Sequence, residues 1–149
     1  MDKENIEEIL RSGSQDDRSD LLISMTREHK AIIDAAFASK EQGEYEHAAR
    51  YFQKAIDQFG ETGETVGMLA MILLVNLKRP QDSIPYARRA AELMPESEFA
   101  SIGLVHCLLA LNLQDEIEPE IRRYVAIGET FELYEVLWEE NGLTKADFI

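Results

Sequence analysis

The chain has 149 residues, 45% of them hydrophobic, and a formal charge of −14, which fits one globular domain or one short repeat array and not a disordered segment. An acidic excess of this size argues against a phosphate-binding surface of clustered Lys and Arg, so no nucleic acid is expected as a partner. The longest apolar run, Val66–Val75, is too short to cross a bilayer, so no membrane insertion is expected.

Ile6, Ile9 and Leu10 outline a short amphipathic helix, and the polar run Ser12-Gly13-Ser14-Gln15-Asp16-Asp17 reads as a linker. Residues 1–19 are therefore expected to be a mobile extension. Leu21, Leu22, Met25, Ile32 and Ile33 share a helical stripe, which predicts a helix from about Asp20 to Gln42. Gly43 stands at its end, and Tyr45–Phe59 is the returning helix. A second pair is expected over Thr65–Leu77 and Ser83–Met94, and a third over Phe99–Leu111 and Ile117–Ala126, with Ser97 as an N-cap. Pro85 and Pro119 are expected in the first turns of their helices, where a missing N–H costs little. Residues 131–149 are read as a capping helix, Phe131–Asn141, followed by a short tail. No stretch alternates as a strand does, so the fold class is all-α.

One pattern recurs along the chain with a fixed period. It reads Ile32, Ala35, Ala36, Ser39, Gly43, Tyr45, Ala48, Phe52, Ala55; then Gly67, Ala70, Met71, Leu74, Ser83, Ala87, Ala90, Pro95; then Ser101, Leu104, Val105, Leu108, Ile117, Ile121, Tyr124. Pro85 and Pro119 obey the same period. These residues resemble the tetratricopeptide repeat, a helical hairpin of about 34 residues with small residues where its helices cross. The resemblance implies an α-solenoid of about three hairpins over residues 20–131 (29–62, 64–97 and 98–131), with the capping helix after it. It departs from the family pattern in the first repeat, where Ala35-Ala36 replaces Leu-Gly, and most of all in the third.

In that family the first helix of each repeat lines a ligand-binding concave groove. Carried over by position, the groove here comprises Ile33 and Phe37, then Met68, Leu69, Ile72 and Val75, then Phe99, Ile102, His106 and Leu109. Members that grip acidic chaperone tails use Lys, Asn and Arg to clamp the carboxylate. Ile33, Phe37, Leu69, Ile72 and His106 stand in those places, so that clamp is absent. The implied groove is apolar and calls for a cover. Three covers are open: an apolar or amphipathic segment of a partner protein (its flanks basic, given the acidic chain), this chain's own N-terminal stripe, or a second copy in a homodimer.

Catalytic chemistry is not legible. His29, His47 and His106 are scattered without metal-ligand spacing, and there is no Gly-rich phosphate loop and no nucleophile elbow. Catalytic residues, metal and cofactor are all expected to be none. The lone Cys107 has no partner in the chain and the acidic start lacks an apolar leader, which suggests a reducing, cytoplasmic setting. The expected function is a non-enzymatic adaptor or chaperone module that binds a partner segment in its groove. Small chaperones of bacterial type III secretion are similar as short acidic three-repeat chains. The alternative expectation is a scaffold protein that self-assembles through the groove.

Overall fold

A residue in the left-handed region stops a helix and turns the chain back. Three such residues, Gly43, Lys78 and Asn112, have φ of 78°, 54° and 58°. Each is separated from the next by one period of the sequence pattern. The second residue after each begins a new helix.

The computed structural model describes residues 2–149, and among these it contains eight α-helices and no strand. They are α1 (Lys3–Ser12), α2 (Gln15–Glu41), α3 (Tyr45–Phe59), α4 (Gly63–Met71), α5 (Pro80–Leu93), α6 (Glu98–Ala110), α7 (Gln114–Ile127) and α8 (Glu132–Glu140). A π-helical turn, Ile72–Asn76, continues α4, and a 3-10 turn, Lys145–Phe148, follows α8. Helices α2 and α3, α4 and α5, and α6 and α7 pack as pairs, and each pair packs on the next. Short connections of this kind make neighbours antiparallel.

The small residues of the repeated pattern lie where helices cross. Ala48, Ala55, Ser83, Ala87, Ala90 and Ser101 are all buried. Ser83 loses no hydrogen bond by its burial, because its hydroxyl donates to the Ala70 carbonyl at 2.7 Å. Larger residues fill the space between pairs. Phe52 and Ile72 join α3 to the end of α4, and Val105, Ile121, Tyr124, Tyr134 and Trp138 join α6, α7 and α8. Each fully buried large side chain contributes about 1.5–3 kcal/mol of apolar transfer.

Capping fixes the helix starts. Thr62 accepts the Thr65 N–H and Ser97 accepts the Ala100 N–H, both at 3.1 Å, each satisfying an otherwise unpaired donor. Helices α4, α6 and α8 begin at Gly63, Glu98 and Glu132, again one period apart. So α8 continues the register of α4 and α6.

Three boundaries differ from the sequence reading. Apart from Met1, which lies outside the described residues, the expected mobile extension is helical. The polar linker is only a helix junction, where Ser14 and Asp17 form a capping box that starts α2 at Gln15, not Asp20. Helices α5 and α7 begin at Pro80 and Gln114, which leaves Pro85 and Pro119 inside them. The left-handed turns at Lys78 and Asn112 set those starts, and both prolines face solvent. Finally, α1 does not lie over α4, α6 and α8. It packs on α2, and Ile6 shares a depression with Met25 and Phe59.

Candidate binding cleft

Between α4, α6 and α8 lies a cleft of about 450 Å³. Its α4 wall is Gly67, Ala70, Met71, Leu74 and Val75, and its α6 wall is Phe99, Ile102, Gly103 and His106. The third wall is Leu133, Val136, Leu137 and Glu140 on α8. Val75, Phe99, Leu133 and Val136 are 42–58% exposed although all are large and apolar. An open apolar concavity with few polar groups is the usual form of a binding site.

Of the ten groove residues read from the sequence, four meet here: Val75, Phe99, Ile102 and His106. Five do not. Leu69 and Ile72 are buried with Ala36, Ala48 and Phe52, and Ile33, Phe37 and Met68 pack against that cluster. Phe37 meets Phe52 edge-on, with ring centroids 5.4 Å apart, a favourable aromatic geometry. The N-terminal part of the expected groove is thus filled by side chains of α3 and α4. Leu109 stands apart as well, in a shallow depression with Ile117, Ile121, Leu143 and Phe148.

The α8 wall lies outside the groove expected from the sequence, where this helix reads only as a cap. The signal was present. Phe99, Ile102, Gly103 and His106 shifted by one period give Leu133, Val136, Leu137 and Glu140. The helix has two apolar faces. Tyr134 and Trp138 are buried, and Trp138 stacks on Tyr134 and Phe148 at 5.4 and 5.6 Å.

A buried polar network seats this wall. The N-cap of α8, Phe131, has no side-chain acceptor, and the Glu98 carboxylate of α6 supplies one. Its Oε2 accepts the N–H groups of Leu133 and Tyr134, both at 3.1 Å. A carboxylate there also meets the positive end of the helix dipole. The Ser101 hydroxyl donates to Glu120 at 2.6 Å, so the Tyr134 hydroxyl, 2.7 Å away, donates to Ser101. Arg123 holds Glu120 at 2.7 Å and donates to the Pro95 carbonyl. Burial pushes the Tyr134 hydroxyl well above the usual phenol range.

No protein-family model matches this chain, and no curated protein matches it either. What the cleft can do is therefore read from its own chemistry. Among the described residues, no group of three or more His, Cys, Asp or Glu is arranged to hold a metal ion, and no helix is long and apolar enough to cross a membrane. Cys107, next to His106 in sequence, points away into the core, where its thiol donates to the Pro80 carbonyl at 3.3 Å. Burial raises its pKa, which makes it a packing residue with little thiolate character.

Charge separates the helices that wall the cleft from those behind them. The walls (α4 with its π turn, α6 and α8) contain no Lys or Arg. The guanidinium groups of α5 and α7 are paired: Arg88 with Glu116 at 2.7 Å, Arg89 with Glu61 at 2.8 Å, Arg122 with Glu118 at 2.8 Å, and Arg123 with Glu120. Arg88 holds the Glu116 carboxyl below its ordinary range.

Proposed function

We propose that this chain is a non-enzymatic binding module, a short array of tetratricopeptide-like hairpins that acts in the cytoplasm as an adaptor or chaperone and holds an apolar segment of a partner protein in the α4–α6–α8 cleft. The observation that carries the reading is the open apolar lining, with Val75, Phe99, Leu133 and Val136 exposed around one concavity. Side chains that are large, apolar and convergent lose little on binding, because the helices beneath them are already fixed by packing. The recurrence of one turn conformation at Gly43, Lys78 and Asn112 supports the repeat reading.

Selection from a displayed peptide library tests it. The folded protein is expected to enrich peptides with several large apolar side chains, and Val136→Glu is expected to lose that enrichment while keeping its far-UV circular dichroism. Val136 is 58% exposed, so a charge there leaves the core alone. Identical enrichment on both proteins, or no apolar enrichment, would sink the proposal.

A further inference from the structure

We infer that the occupant of the cleft is an amphipathic helix whose apolar stripe is flanked by Lys and Arg. This rests on the binding reading above and adds the conformation and the charge of the partner segment.

Conformation follows from hydrogen bonding. The cleft walls are helices, whose backbone groups are paired internally, and the Ser83 hydroxyl is already committed to the Ala70 carbonyl. Among the lining residues only His106 and Glu140 offer free polar side chains. An extended segment would press unpaired N–H and C=O groups against apolar walls, and each such group is costly. A helix satisfies its own backbone and presents side chains alone.

Space agrees with this. Gly103 lies in the middle of α6, where glycine is unfavourable. A methyl group on its Cα would meet no atom within 4 Å, so no neighbouring helix requires the glycine. The room it leaves belongs to the cleft, and a stripe at i, i+4 and i+7 spans about 10 Å of helix to fill it.

Charge selects the flanks. The cleft-walling helices carry no base, whereas α8 alone carries Glu132, Glu135, Glu139 and Glu140. The arginines of α5 and α7 are neutralised by Glu61, Glu116, Glu118 and Glu120. Glu140 is the one charged side chain that lines the cleft, so a segment entering between α6 and α8 meets a carboxylate there, which favours Lys and Arg beside the stripe. A second copy of this chain brings another charge of −14 and the same carboxylate, so like charges oppose that occupant.

Three synthetic peptides of about 18 residues, long enough to populate a helix when bound, provide the test. One has a Leu stripe flanked by Lys, one has the same stripe flanked by Glu, and one has the Lys sequence with a central proline. Fluorescence anisotropy would follow their binding to the wild type, to Gly103→Leu, which fills the cleft from its α6 wall, and to Val136→Lys, which adds a positive charge at an exposed lining site. The Lys peptide is expected to bind the wild type at least about tenfold more tightly than the other two, more so at low salt, and both variants are expected to weaken it by a similar factor. Equal binding of the Lys and Glu peptides, or of the proline peptide, overturns the inference and leaves the apolar cleft reading standing. No binding of any peptide, or binding that neither variant changes, overturns both. A dimer in light scattering that Gly103→Leu dissociates assigns the cleft to a second copy and also overturns it.

Discussion

Two junctions in this molecule are built from the same positions of the sequence pattern and end in opposite states. Phe37, Ile72, His106 and Glu140 follow one another at the common period, as do Asp34, Leu69, Gly103 and Leu137. Where α2, α3 and α4 meet, the large members of these series fill the junction: Ile72 is fully buried, Leu69 nearly so, and Phe37 closes on Phe52. Between α4, α6 and α8 the members are His106, Glu140 and Gly103, with Leu137 the one large apolar side chain among them, and the junction stays open. Backbone register sets where a groove falls; side-chain volume at two positions per period decides whether it exists.

That contrast is sharpest at Ile72 and Val75, which share one π turn. Ile72→Asp buries a charge without a partner, and a loss of about 4 kcal/mol or more is expected, enough to unfold a marginal domain. Val75→Asp, at 55% exposure, should change stability by about 0.5 kcal/mol or less. Urea unfolding followed by circular dichroism measures both, and similar losses would erase the distinction between the junctions.

The open junction also depends on how α8 is held. Glu98→Ala removes the acceptor of two α8 N–H groups and is expected to cost about 1–3 kcal/mol, with a changed Trp138 emission. A full loss of helicity, or no loss of stability, would show that Glu98 does not work by seating α8.

A third measurement separates the junctions by pH. Tyr134 is held neutral in the folded protein, its pKa raised by burial, so its contribution is complete below the ordinary phenol pKa. Above about pH 10 the unfolded chain ionises this group while the folded chain does not, and stability should fall by about 1.4 kcal/mol per pH unit from this residue. In Tyr134→Phe that base-side fall is expected to be shallower, as read from thermal midpoints across pH 9–11.5. The last effect is a gain. Gly103→Ala is expected to stabilise the protein by about 0.5–1 kcal/mol, and a loss would mean that α6 needs the glycine for packing.

Much of the architecture is legible in the sequence. Helical periodicity and the turn at Gly43 are enough for the all-α class and most helices, and Ser97 reads as a cap, the role its hydrogen bond to Ala100 confirms. The site is legible only in part. Spacing places a residue on a helix face, but it does not say whether the facing helix brings a phenylalanine or a glycine. Ile33, Phe37, Met68, Leu69 and Ile72 therefore read as groove residues, although the α3 side chains close that space. The α5 and α7 starts escape the sequence because Pro85 and Pro119 look like first-turn residues, whereas the left-handed Lys78 and Asn112, which carry no glycine signature, set the boundaries.

The stacking of Trp138 between Tyr134 and Phe148 gives the molecule a built-in optical gauge. It is the chain's single tryptophan, and it lies on the side of α8 turned away from the cleft. An occupant in the cleft makes no direct contact with the indole. Any change in intrinsic fluorescence on binding therefore reports displacement of the helix itself, so a single unlabelled titration distinguishes a rigid receptor from one whose wall moves.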